Sequence, residues 1–237
     1  MVRDAEPLRG EPKPRSNRHC LALSHSLQVF GDIMIDISYV ECTCASLSAL
    51  VSAAEAFPHH RAEEVSRAIQ AGRRFMKRIQ RADGSWYGSW GCCFTYGCWF
   101  GLEGLIAAGE PPGSDAVARC AAFLLSHQND NGGWGEDFTS CYNKSYAAHG
   151  AGAYGEGGSG VVQTSWALLG LMAAGCEDTE ALRRGVAFLR SRQLPTGDWP
   201  QEGITGVFNR ACGITYTSYR NSFPIWALGR FARLHGG

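Results

Sequence analysis

One pattern recurs three times in this chain and constrains the fold more than any other feature. It is Phe-x4-Gln-x3-Gly-x-Trp. It runs through Phe75, Gln80, Gly84 and Trp86, through Phe123, Gln128, Gly132 and Trp134, and through Phe188, Gln193, Gly197 and Trp199. Self-similarity of this kind marks an architecture that stacks one supersecondary unit. A second motif interleaves with the first: Cys98-Trp99-Phe100-Gly101-Leu102, Ser165-Trp166-Ala167-Leu168-Leu169 and Ile225-Trp226-Ala227-Leu228-Gly229. A weaker copy, Glu41–Leu50, aligns with Val162–Leu171.

Each unit reads as helix–turn–helix. RAIQAGRRFMKRIQ and RRGVAFLRSRQ carry apolar residues at three-to-four spacing with basic residues between them, which predicts amphipathic helices ending at the Gln. The Gly breaks the helix. The Gln is expected to cap backbone groups of a neighbouring helix, with the Trp stacked beside it. WFGLEGLIAAG and SWALLGLMAAG are almost wholly apolar, as a buried helix is. Outer amphipathic helices alternating with inner buried ones predict an all-α fold, an α/α barrel or toroid of helical hairpins. Repeat counting gives three hairpins and part of a fourth, so the toroid is expected to be incomplete. Its open edge would expose apolar surface and leave the chain marginally soluble.

Composition narrows the functional classes. The 237 residues carry 22 basic and 22 acidic side chains, a balance that argues against a nucleic-acid binder. Hydrophobic residues make up 45%, enough for one large core. No run approaches the length of a transmembrane helix. Ten cysteines include Cys42, Cys44, Cys92 and Cys93, but no CxxC pair and no His at zinc-ligand spacing. They are expected to be mostly buried thiols in a reducing compartment, with no structural zinc site. Residues 1–28 are charged and proline-containing and are expected to be a disordered or wrongly assigned lead-in, without a signal sequence, to a domain over 29–237.

Aromatic residues gather in the turns and at the starts of the inner helices: Trp86, Trp90, Phe94, Tyr96, Trp99, Trp134, Phe208, Tyr216 and Tyr219. Ring faces stabilise positive charge without offering a nucleophile that would trap it. Packing between repeats explains the same residues, and Trp86, Trp134 and Trp199 are expected to be structural. The candidate acids are Asp36, Glu41, Glu136, Asp137 and Glu202. The adjacent pair Glu136-Asp137 suits either a glycosidase or, more simply, a cap on the following helix or an ion pair. His127 and His149 read as packing or solvated residues. The stretch GAGAYGEGGSG (150–160) reads as a flexible loop and lacks the Lys of a phosphate-binding loop.

Longer strings carry a resemblance. The Gln-x3-Gly-x-Trp repeats resemble the QW motifs of triterpene cyclases, on Gln80, Trp86, Gln128, Trp134, Gln193 and Trp199. VFGDIMIDISYVECT (29–43), DGSWYGSWGCCFTYGCWFGLE (83–103), NGGWGEDF (131–138) and GDWPQEGITGVFNRACGITYTSYRNSFPIWALGRF (197–231) resemble the eukaryotic oxidosqualene cyclases, the lanosterol and cycloartenol synthases. The resemblance implies cyclisation of 2,3-oxidosqualene, a squalene-derived epoxide, to a tetracyclic sterol precursor. In that reaction an Asp protonates the epoxide, a cation cascade closes the rings, and no metal or organic cofactor takes part. It implies a monotopic location at the endoplasmic reticulum membrane or lipid droplet.

The resemblance also assigns residues. Cys42 in YVECT matches the cysteine that hydrogen-bonds the catalytic Asp. Trp90 and Phe208 match cavity rings that stabilise cations, and Tyr96 and Tyr216 match tyrosines of the cavity wall. The family's acidic motif, Asp-Cys-Thr-Ala-Glu, is absent from these 237 residues. The chain is therefore expected to be a C-terminal fragment, inactive alone. A non-catalytic repeat protein that uses the scaffold for binding is the alternative. A protein prenyltransferase β-subunit would need a zinc-binding Asp, Cys and His set that the sequence lacks. A glycoside hydrolase explains none of the long strings.

Overall fold

The two interleaved motifs fold as two kinds of helix. The computed structural model describes residues 38–149, 157–208 and 212–236. Its elements run α1 (Val40–Ala56), α2 (Ala62–Ile79), α3 (Phe94–Ala107), α4 (Asp115–Ser126), α5 (Thr139–Asn143), α6 (Val161–Ala173) and α7 (Thr179–Ser191). Then come β1 (Gly206–Phe208), β2 (Cys212–Ile214) and α8 (Tyr219–His235). All belong to one compact unit, Ile37–Gly237. The lead-in expected over 1–28, Asp36 and residues 150–156 lie outside the described residues.

Helices α1, α3, α6 and α8 pack in series as an inner layer, and α2, α4 and α7 each bridge two neighbours of that layer from outside. Burial follows the sequence pattern. In α6, 12 of 13 residues are buried, and in α3, ten of 14. In the outer helix α2 only Met76 is buried. The result is the alternating all-α layout of an α/α barrel.

The three Gln–Trp turns are near copies of one another. Each indole N–H donates to a carbonyl ten residues upstream: Trp86 to Met76 at 2.9 Å, Trp134 to Leu124 at 2.7 Å and Trp199 to Leu189 at 2.8 Å. These carbonyls lie near the ends of the outer helices, and all three indoles are buried. Each turn glycine takes a left-handed backbone, with φ of 89°, 86° and 87° at Gly84, Gly132 and Gly197. A side chain there would be strained.

The Gln amide ties the turn to the next outer helix. Gln80 Nε2 donates to Gly84 O and to Ala116 O in the first turn of α4, both at 2.8 Å. Gln128 Nε2 donates to Gly132 O at 2.8 Å and to Ala181 O in the first turn of α7 at 2.9 Å. An arginine of the receiving helix closes each contact. Arg119 donates to Gln80 Oε1 at 2.6 Å, and Arg184 donates to Gln128 Oε1. The third copy keeps only the bond within its own turn, Gln193 Nε2 to Gly197 O at 2.8 Å, and Gln193 is exposed.

One element was not legible in the repeats. Gly206–Phe208 and Cys212–Ile214 pair as an antiparallel ribbon with Val207 opposite Gly213 and Phe208 opposite Cys212. The thiols follow the composition argument. Cys44, Cys92, Cys93, Cys98, Cys120 and Cys141 are buried, Cys176 is half-buried, and Cys42 and Cys212 are exposed, all as free thiols. Apolar side chains are exposed at Phe57 and, on α8, at Ile225, Trp226 and Leu234. Among the described residues no helix is long and apolar enough to cross a membrane.

The unequal Gln contacts give an expected outcome. Gln128→Ala strands the part-buried Ala181 carbonyl, leaves the exposed Arg184 to water, and should destabilise the chain by about 1–2 kcal/mol. Gln193→Ala removes one exposed bond and should cost less than half as much in the same urea titration. Equal losses would show that only the bond within each turn matters.

Candidate functional site

The first Gln–Trp turn runs into a loop that carries Trp90 toward the start of α3. Both sides of this loop are pinned through its backbone. Glu41, in the first turn of α1, accepts the amides of Ser89 at 2.5 Å and Trp90 at 3.1 Å on Oε1. On the other side Val207 N donates to Trp90 O at 3.1 Å, Cys92 N donates to Thr205 O at 2.8 Å, and Gly91 bridges to Gly206. The loop therefore lies between α1 and the β-ribbon.

That pinning sets a group of rings. Trp90 and Phe208 face one another with centroids 6.0 Å apart and planes inclined by 33°. They are 38% and 41% exposed, far more than core rings are, so they line accessible surface. Tyr39 meets Trp90 edge-on at 6.1 Å. Tyr96 is buried beneath the loop, so close that a side-chain carbon at Gly88 or Gly91 would come within 2.5 Å of its ring. Tyr216 lies equally close over Gly206 and pairs with Tyr219 at 4.6 Å.

Cys42 sits on the exposed side of α1. Burial first, then the nearby Glu41, Tyr219, Cys42 and Tyr216, push the Tyr96 phenol well above its ordinary range. The structure thus brings Cys42, Trp90, Tyr96, Phe208 and Tyr216 into one neighbourhood.

A second set of rings continues along the inner layer. Tyr96 contacts Trp166 at 5.0 Å, Trp166 contacts Phe223 at 5.5 Å, Phe223 contacts Trp99 at 5.3 Å, and Trp99 contacts Trp226 at 5.5 Å. Trp99, Trp166 and Trp226 hold the same place in the interleaved motif, which was the sequence signal for this ladder. Tyr39 and Phe223 gave no such signal.

The acids do not form a hydrolytic pair. Glu136 is fully buried and caps α3, the inner helix before it in the chain. Oε1 accepts Phe94 N at 2.9 Å, and Oε2 accepts Thr95 N at 2.9 Å and the Thr95 hydroxyl at 3.0 Å. Its neighbour Asp137 caps the following helix α5 through Thr139 N at 2.8 Å. The expectation that the pair serves the next helix therefore holds only for Asp137. The helix that Glu136 reaches is distant in sequence and adjacent only in the inner layer. Glu202 repeats the device on α6, accepting Val161 N at 2.9 Å while Arg192 pairs with its other oxygen.

Burial raises Glu136 above the ordinary carboxylate range despite these bonds, and it raises Glu41 in the same way. His127 packs on Phe123 and Tyr146 and bonds Phe123 O at 2.7 Å. His149 stands 3.6 Å from Asp137. Among the described residues no group of three or more His, Cys, Asp or Glu could hold a metal ion.

Comparison with known proteins adds to this geometry. Residues 29–233 match the squalene-hopene cyclase C-terminal domain. The chain is 52% identical over 221 residues to lanosterol synthase of Homo sapiens, covering 92% of this chain and 29% of that protein. It is 50% identical over 209 residues to cycloartenol synthase of Dictyostelium discoideum, covering 88% of this chain and 29% of that one. The chain therefore spans less than a third of the length of these relatives. Among solved structures, ent-copalyl diphosphate synthase from Streptomyces platensis superposes with a TM-score of 0.62 at 18% identity, covering 86% of this chain and 35% of that one. That likeness speaks to the fold alone.

The caps lend themselves to a direct check. Glu136→Gln would turn an amide NH2 toward either Phe94 N–H or the two Thr95 donors, and no rotamer satisfies both. A loss of about 2–3 kcal/mol is expected in chemical unfolding. A neutral substitution would show that α3 does not depend on this cap.

Proposed function

The chain belongs to the squalene-hopene cyclase C-terminal domain family, and from that membership we propose that it supplies one wall of a cavity in which an oxidosqualene-type epoxide is cyclised through carbocations to a lanosterol- or cycloartenol-type product. The observation that carries this reading is the Trp90–Phe208 pair, two half-exposed rings facing one another at the end of a loop with a pinned backbone. Ring faces attract a cation by about 0.5–2 kcal/mol each, more where water is excluded. They offer no lone pair to capture it.

Tyr96 and Tyr216 extend the wall, and burial pushes the Tyr96 phenol further above its ordinary range. Cys42 is exposed on α1, and in this reading it would donate toward an aspartic acid from elsewhere in a complete enzyme. Such donors favour the ionised carboxylate and so strengthen the acid. The reading also places the complete enzyme on the endoplasmic reticulum membrane or lipid droplet, where a squalene-derived epoxide is dissolved.

The test uses a positively charged stand-in for the intermediate, an alkyltrimethylammonium ion below its micelle-forming concentration. The 237-residue chain should bind it. Trp90→Ala and Phe208→Ala should each weaken binding about tenfold, and Trp90→Phe by no more than about threefold, in keeping with ring-face attraction. Unchanged affinity in both alanine variants would remove the basis of the reading. Supplied with 2,3-oxidosqualene alone, the chain should give no tetracyclic product, because its sequence holds no Asp-Cys-Thr-Ala-Glu motif.

A further inference from the structure

Three buried glutamates in this fold hold backbone amides across the gap between a Gln–Trp turn and an inner helix, and one of them does so in reverse. Glu136 and Glu202 sit in loops and accept amides at the starts of α3 and α6. At α1 the acid is on the helix and the donors are in the loop: Glu41 accepts Ser89 N and Trp90 N. The first arrangement secures a helix end. The reversed one secures a loop, and that loop carries Trp90.

The consequences reach three rings. Trp90 has both its backbone polar groups engaged, its N–H by Glu41 and its carbonyl by Val207. Val207 is followed by Phe208, the ring that Trp90 faces. Tyr39, which meets Trp90 edge-on, lies two residues before Glu41. The Glu41 carboxylate thus ties the segment that bears Tyr39 to the one that bears Trp90, and the ribbon that bears Phe208 is tied to the same loop by backbone bonds. It does so at a cost in stability. Glu41 is 6% exposed, and its Oε2 is buried without a hydrogen-bond partner. Buried unsatisfied atoms are rare and call for an explanation. One oxygen that accepts two backbone N–H groups is what this position uses.

We infer that Glu41 is a positioning residue: by accepting the Ser89 and Trp90 amides it fixes the Trp90–Phe208 pair in its facing geometry. This inference rests on the cation-wall reading for its functional meaning, while the clamp itself can be judged apart from it.

The experiment compares wild type with Glu41→Ala and Glu41→Gln, reading alkyltrimethylammonium affinity and site-resolved amide exchange on the 237-residue chain. Glu41→Gln keeps an oxygen acceptor and should stay within about threefold of wild type, whereas Glu41→Ala should lose about tenfold, the range expected for losing a pair of hydrogen bonds. In Glu41→Ala the Ser89 and Trp90 amides should exchange faster, while those of Phe94 and Val161, held by Glu136 and Glu202, should not. A folded Glu41→Ala protein with wild-type affinity would overturn the inference. So would unprotected Ser89 and Trp90 amides in the wild type, a measurement that stands even if the alanine variant does not fold. If the wild type fails to bind the ammonium ion, the cation-wall reading falls, and exchange at the two amides still decides the clamp.

Discussion

A glutamine amide that bonds two carbonyls at once holds this architecture together. An outer helix ends at the Gln, and its turn must reverse the chain without leaving carbonyls unpaired. Nε2 of Gln80 and of Gln128 satisfies a carbonyl of its own turn and another in the first turn of the next outer helix. The indole N–H ten residues from its acceptor closes the same turn from inside. One side chain therefore fixes both the shape of a turn and the distance between neighbouring hairpins. Remove the second bond, as at Gln193, and only the turn remains specified.

The inner layer is built on a related economy. An almost wholly apolar helix has no side chains of its own to cap its first amides, so α3 and α6 borrow carboxylates from loops. This spends the lone pairs of Glu136 on two backbone N–H groups and the Thr95 hydroxyl, and those of Glu202 on Val161 N and Arg192. In a cavity proposed to carry positive charge, acids committed in this way cannot capture it. The same burial that makes these carboxylates costly keeps them away from the aromatic face.

The repeats made the helices legible because periodicity is a local property. The buried strings in α3 and α6 and the basic spacing in α2 and α7 needed no tertiary information. The neighbourhood of Cys42, Trp90, Tyr96, Phe208 and Tyr216 came from resemblance to a family and not from spacing, since these residues are brought together by a loop and a ribbon with no period. The ribbon of β1 and β2 went unread for the same reason: each strand has three residues, too few for alternation to show. Glu136 was read toward the wrong helix because the partner that claims it, Phe94, is 42 residues away. Long-range pairing leaves no mark in the local sequence.

The buried thiols give the fold a built-in clock. Six of the described cysteines are shut inside the packed layers, and Cys92 and Cys141 lie with their sulfurs 3.7 Å apart. A thiol reagent in solution meets Cys42 and Cys212 at once, Cys176 more slowly, and the rest only when the layers part. The slow phase of labelling therefore counts global openings rather than local fraying. Air does the same job as the reagent. An opened chain whose thiols join as disulfides leaves the folding equilibrium, so oxidation drains the protein through its opened state.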